Sequence, residues 1–258
     1  TTKGIWRGIV GEPGATISMN SATISDAIEG LRLNQTSTYD MEVLLVDNCR
    51  DYGIHISDCA TEMTAVGVNG CGLSGGAVYG SNVKIDGSKP SSFTVSAFSN
   101  AVCRAPGGMY DSGHGVDISS DGENFFMNCV LHGNEGCGYA ISDSGDVYIY
   151  DNDIRYNAAG VYVHETAKWT TLRKSKVHNN TCFGVRLQGT ASSPVRLRGW
   201  YHPNLGIDPN VNVHVDSIVN YGQTDGQNCV YLNDENLRAE NARYDLGSQY
   251  NNGGGVAV

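Results

Sequence analysis

The chain is poor in several things that would each point elsewhere. Its 258 residues include only 6 prolines, and no Pro-rich or charge-rich run marks a linker, so division into separate domains is not indicated. No apolar run approaches the roughly 20 residues needed to cross a bilayer as a helix, so membrane insertion is not expected. Basic residues are few: 17 Lys and Arg against 27 Asp and Glu give a net charge of −10. That balance disfavours general nucleic-acid binding, which needs cations to displace counterions. The eight cysteines fit no metal motif, so no metal centre is expected. A starting Met and a signal peptide are also missing, and we read the chain as a fragment of a longer protein.

What is abundant is glycine, with 33 residues, and it recurs in a pattern. A glycine leads an alternating apolar segment at Gly53-Ile54-His55-Ile56, Gly76-Ala77-Val78-Tyr79, Gly115-Val116-Asp117-Ile118, Gly138-Tyr139-Ala140-Ile141, Gly160-Val161-Tyr162-Val163 and Gly184-Val185-Arg186-Leu187. Weaker copies follow at Gly206, Cys229 and Gly255. The steps are 23, 39, 23, 22, 24, 22, 23 and 26 residues. Such a period marks a repeat architecture in which each unit buries its apolar face only against its neighbours. The unit reads as short strands and turns, so the expected fold is all-β, a parallel β-helix of about ten coils of 22–24 residues forming one domain over 1–258. The long step from Gly76 to Gly115 predicts one coil plus about 16 extra residues, placed as a loop around 88–113. A second strand precedes each anchor, as in 41–48, 124–128, 146–152 and 211–215. Asn48, Asn128 and Asn152 end three of these, where Asn suits a left-handed turn.

Cys49 and Cys71, 22 residues apart after similar strands, are expected to stack in adjacent coils as buried small residues or, alternatively, as a disulfide. Between Lys168 and Arg198 lie seven basic residues and no acidic one, either a solvated face or a site for an anionic sugar.

Two segments resemble a known superfamily. The repeat Val147-Tyr148-Ile149-Tyr150-Asp151-Asn152-Asp153-Ile154-Arg155-Tyr156-Asn157 leads into Gly160-Val161-Tyr162-Val163. The opening stretch is Arg7-Gly8-Ile9-Val10-Gly11-Glu12-Pro13-Gly14-Ala15-Thr16-Ile17. Both are similar to the right-handed β-helices of pectate lyases, uronan epimerases and phage tailspikes. The resemblance implies a polysaccharide as partner, an extracellular or virion-surface location and, by analogy with tailspikes, a homotrimer. It implies a tailspike-like glycoside hydrolase, with a polysaccharide lyase or uronan epimerase and a non-catalytic glycan-binding β-helix as alternatives. Family catalytic motifs match incompletely. Gly113-His114-Gly115 resembles polygalacturonases, but their paired upstream aspartates are absent. Gly160 to Glu165 resembles the epimerase strand, yet Tyr162 and Val163 stand where Asp and Pro should be.

Coils about 4.8 Å apart align equal offsets into rows. Two places after each anchor the outward row reads His55, Val78, Asp117, Ala140, Tyr162, Arg186, Tyr231. Five places after, it reads Asp58, Ser120, Asp143, Glu165, Gly189, Asp234, with Asp121 one further. Asp143 and Glu165 are the candidate catalytic pair because adjacent carboxylates push their acidities apart, and Asp117 or Asp121 would assist. His164 and Tyr162 could move protons, Arg186 could clamp a substrate carboxylate, and Tyr162, Tyr231 and Trp169 could stack on sugar rings, with His55 in the same row. No cofactor is expected, except Ca²⁺ held by the acidic row if the chemistry is that of a lyase.

Overall fold

The structure is a computed structural model. It describes residues 6–73, 80–103, 112–164, 166, 167, 169–173, 175–181 and 183–188, and further on the backbone of six short strands between 197 and 257. For Tyr39, Trp169, Arg173, Lys176, His178 and 183–188, too, only the backbone is described.

Every regular element among the described residues is a strand. Ten parallel strands form sheet 1, among them Ile9–Gly11, Leu31–Asn34, Ile54–Ser57, Val83–Gly87, Val116–Ser120, Cys137–Ile141, Ala159–Val163 and Phe183–Gln188. A 14-stranded sheet has two arms that meet in the long strand Ser37–Asp47. One arm, sheet 2, carries Thr61–Thr64, Ser91–Thr94, Asn124–Met127, Asp146–Tyr150 and Trp169–Arg173. The other, sheet 3, carries Gly67–Asn69, Ala97–Ser99, Val130–His132, Asp153–Arg155 and Lys176–His178. The chain visits sheets 1, 2 and 3 in turn, so each coil has three sides. This is a parallel β-helix.

The alternation of the sequence fixes which side chains face inward. Leu33, Ile56, Ile85, Ile118, Ile141 and Val163 stack in register along the inner face of sheet 1, all fully buried. Met41, Met63, Phe93, Phe126, Ile149 and Leu172 do the same in sheet 2. Val46, Val68, Phe98, Leu131, Ile154 and Val177 do so in sheet 3. Each such side chain contributes about 1.5–3 kcal/mol of burial, so every coil is stabilised mainly by the coils on either side. The anchor glycines follow from the same packing: a Cβ on Gly53 would sit 2.2 Å from Val68 Cγ1 and 2.7 Å from the Asn82 carbonyl.

A polar ladder runs inside the stack. Asn134, Asn157 and Asn180 are at most 1% exposed and bond in sequence, Asn134 Nδ2 donating to Asn157 Oδ1 at 2.7 Å and Asn157 Nδ2 to Asn180 Oδ1 at 3.1 Å. Asn82 Nδ2 joins it through Asn134 Oδ1 at 3.2 Å. Asn48 and Asn128 do adopt the left-handed conformation expected of them, with φ of 55°. In the next coil Asp151 takes that turn and Asn152 is instead buried, bonding Tyr139 Oη. Cys49 and Cys71 are buried and unbridged. Hydrogen bonding between their thiols lowers the pKa of Cys49 from its ordinary value and raises that of Cys71 well above it.

The extra residues do not form one loop over 88–113; they fall in two places, the second of which lies largely within that span. Ser91–Thr94 and Ala97–Ser99 are ordinary strands of sheets 2 and 3. In sheet 1, Ile54 pairs with Val83 and Val83 with Val116, steps of 29 and 33 residues, whereas Val116 to Tyr139 is 23. Two shorter insertions therefore follow successive sheet 3 strands, one between Asn69 and Val83 and one between Ser99 and Val116. The strand between Ile54–Ser57 and Val116–Ser120 is Val83–Gly87. Gly76 to Tyr79, the expected anchor, lies outside the described residues. Gly206 does not continue sheet 1 either: Leu205–Asp208 pairs antiparallel with Arg243–Leu246, and sheet 1 passes from Phe183–Gln188 to Val230–Asn233.

Candidate functional site

The outer face of sheet 1 carries Arg32, His55, Lys84, Asp117, Ala140 and Tyr162 in one backbone register, which the backbones of Arg186 and Tyr231 continue. This is the outward row expected from the anchors, with one replacement: Lys84 occupies the place assigned to Val78. The replacement matters, because a cation now stands between His55 and Asp117.

Charges alternate along this row and its flank. Arg32 Nη1 lies 3.4 Å from Glu29 Oε2, and Glu29 Oε1 lies 3.8 Å from His55 Nδ1. His55 Nε2 bonds Asp86 Oδ2 at 2.8 Å, and Lys84 Nζ bonds Asp117 Oδ2 at 3.0 Å. The imidazole of His55, 3.8 Å away, holds the Glu29 carboxyl below its ordinary value against the effect of burial. Burial alone would lower the imidazole of His55, but its contacts with Asp86 and Glu29 outweigh that and raise it. Asp86 is held down by the same bond in spite of its own burial. Tyr52, packed beside His55 with ring centroids 5.2 Å apart, is pushed up to about 12 by burial and the surrounding carboxylates. With its side chain only 13% exposed and committed to Asp86, His55 serves this network rather than an incoming ligand.

Beyond Lys84 and Asp117 the face opens into a groove of about 530 Å³. Tyr52, Lys84, His114, Asp117, Ala140, Ile141, Ser142, Asp143, Tyr162 and His164 line it. Ala140 matters as much as the charged groups, since its small side chain leaves the space between Asp117 and Tyr162. Asp143 is exposed, at the end of its strand in the left-handed conformation, with φ of 42°. Its backbone N–H donates to Thr166 Oγ1 at 2.9 Å, and Thr166 Oγ1 lies 2.9 Å from His164 Nδ1. The Thr166 backbone N–H also donates to that nitrogen, at 3.4 Å. Two donors at Nδ1 leave the proton of the neutral ring on Nε2. The Tyr162 ring meets His164 edge-on at 6.3 Å. His114, 2% exposed, accepts the Cys137 N–H through Nδ1 at 3.0 Å, a structural bond.

Of the expected site residues, Asp117, Asp143, Tyr162 and His164 are brought to one groove. Asp121 is exposed but sits on the turn after Ser120, outside the groove lining, its N–H donating to the Gly87 carbonyl at 2.7 Å. Ser120 is fully buried, and Asp58 Oδ1 accepts bonds from the N–H and hydroxyl of Ser88. These two positions of the acidic row are therefore structural. Glu165, the expected partner of Asp143, lies outside the described residues. Arg186 and Tyr231 hold their row by backbone register, and Trp169 lies on sheet 2 in register with Asp146. The basic stretch is divided among faces: Arg173 pairs in sheet 2, Lys176 in sheet 3 and Arg186 in sheet 1. Among the described residues no three His, Cys, Asp or Glu side chains converge as a metal site, and no helix is long and apolar enough to cross a membrane. Lys84, Tyr52, Ser142 and Thr166 were not anticipated. Correct placement of the insertions would have exposed Lys84, whereas Thr166 carries no periodic signal.

The sequence matches the family described as a right-handed β-helix region over residues 7–198. The chain belongs to the right-handed β-helix family. No curated protein and no solved structure matches it. Family membership gives the hand of the coil; the function must come from the groove.

Proposed function

We propose that the groove on sheet 1 binds a polysaccharide and hydrolyses its glycosidic bond. The observation that carries this reading is the meeting of two carboxylates, Asp117 and Asp143, with the Tyr162 ring in one open groove. A glycan can lie across successive coils there, one ring against Tyr162 and its hydroxyls on Ser142 and His164 Nε2–H.

The partners suggest a division of labour. Asp117 has an ammonium 3.0 Å away, which suits the carboxylate that orients and deprotonates water. Asp143, the second carboxylate of the groove, is then the group assigned to meet the leaving oxygen. Asp117 pairs with Ala140 across coils, and Asp143 stands three residues beyond, past the strand's end, so their Cα atoms are at most roughly 11 Å apart at about 4.8 Å per coil and 3.3 Å per residue. Side chains leaning inward from that distance reach the wider, inverting range of about 6.5–9.5 Å. In the setting of a tailspike-like protein the chain would act at an extracellular or virion surface, as a homotrimer.

The test is a digest of neutral and acidic polysaccharides read by mass spectrometry and ultraviolet absorbance. Saturated oligosaccharides with inverted anomeric configuration are expected. Products with an ultraviolet-absorbing unsaturated end would replace hydrolysis by a lyase reaction. Binding without products would leave a glycan-binding β-helix.

A further inference from the structure

A second cleft, of about 480 Å³, opens on the outer face of sheet 2. Its geometry is set by one outward row in which Glu62, Ser92, Phe125 and Tyr148 follow one another in successive coils. The rings of Phe125 and Tyr148 are parallel within 5° with centroids 4.6 Å apart. Tyr148 therefore covers one face of the Phe125 ring. The other face looks along the row toward Ser92, whose side chain is too small to cover it, and Phe125 is 39% exposed. The next long side chain in that direction is Glu62, two coils from Phe125 and so about 9.6 Å away. A slot one ring thick remains above Ser92.

The rim of the slot is polar and acidic. Asp40 and Glu62 line it, both are exposed, and neither carboxylate takes part in a hydrogen bond or ion pair. No Lys or Arg is among the residues that line it. A flat apolar wall with hydrogen-bond acceptors at its edge suits a ring that has a C–H face and a hydroxylated rim, and the volume is within the usual range for small-ligand sites. Two unpaired carboxylates exclude an acidic sugar.

We infer that this cleft is a second glycan site, distinct from the sheet 1 groove, which takes a pyranose without an acidic group, stacked on Phe125 and held through Asp40 and Glu62. The inference stands on the sheet 2 row and not on catalysis at sheet 1.

The experiment titrates the protein calorimetrically with cellohexaose, a chitosan hexamer and hexagalacturonate. Saturable binding of cellohexaose or the chitosan hexamer is expected, weakened at least tenfold in Phe125→Ala. Ser92→Tyr, which extends the ring stack into the slot, should abolish that binding while leaving the unfolding midpoint unlowered, so loss of binding is not confused with loss of fold. Hexagalacturonate should be indifferent to both sheet 2 variants. The inference is overturned if neither non-acidic hexamer binds, if Ser92→Tyr leaves their binding intact, or if free arginine or tetramethylammonium displaces them, which would make this a cation site. Failure of the sheet 1 reading would show instead as Tyr162→Ala and Asp143→Asn having no effect on turnover.

Discussion

Replacing Asn157 by alanine should destabilise the stack far more than its single amide suggests. Oδ1 of Asn157 accepts the Asn134 backbone N–H at 3.2 Å and Asn134 Nδ2 at 2.7 Å. Its Nδ2 donates to the Leu131 carbonyl at 3.1 Å and to Asn180 Oδ1 at 3.1 Å. Alanine removes all four bonds in a fully buried position. A buried N–H left unpaired costs about 1–3 kcal/mol and each lost bond roughly 1 kcal/mol net, so the expected loss is about 3–5 kcal/mol. Asn157→Asp separates hydrogen bonding from shape. Its second oxygen would face the Leu131 carbonyl and Asn180 Oδ1, and a buried charge is disfavoured. Burial raises the folded-state pKa of such an aspartate, so its penalty is largest at neutral pH and shrinks as pH falls through that value. Urea unfolding followed by far-ultraviolet circular dichroism at pH 7 and pH 4 measures both. A loss below 1 kcal/mol for Asn157→Ala, or an Asn157→Asp no less stable than Asn157→Ala at pH 7, would refute the ladder as a stabilising element.

Val95 adopts φ of 51° with its side chain 58% exposed, a conformation strained for a β-branched residue, so Val95→Asn should raise stability by about 1 kcal/mol in the same assay. Gly53→Ala should lower stability by at least about 2 kcal/mol, because the new methyl meets Val68 and the Asn82 carbonyl with nowhere to move. The Glu29–His55–Asp86 cluster predicts a pH window. The raised imidazole contributes stability below its unfolded pKa of about 6.5 that is lost as pH rises through its folded value. The lowered carboxyls contribute above about 4.3 and lose it as pH falls through their folded values. Unfolding midpoints of His55→Gln against the native chain should therefore differ most between about pH 4.5 and 6.5 and converge at higher pH.

The repeat was legible because burial writes it twice, once in the inward alternation of Leu33, Ile56, Ile118, Ile141 and Val163 and once in the tight glycines before them. The coil at Val83 was misread for a physical reason. Asn82 stands in the anchor glycine's place, accommodated by the internal amide ladder, while Gly76-Ala77-Val78-Tyr79 carries the anchor pattern in sequence alone. That error removed Lys84 from the outward row and with it the partner of Asp117. Thr166 was invisible because it lies past the strand, where local turn geometry rather than period decides what meets Asp143 and His164. The contiguous basic run suggested one surface, but a chain that turns three times per coil distributes Arg173, Lys176 and Arg186 over three sheets.

The central claim is that sheet 1 carries a glycan-cleaving groove, and the most direct measurement compares turnover and binding of one polysaccharide substrate by the native chain, Asp143→Asn and Asp117→Asn. The account predicts at least a hundredfold loss of turnover in each variant, of the size that acid–base groups contribute, with substrate affinity retained. Full turnover in both variants would contradict it.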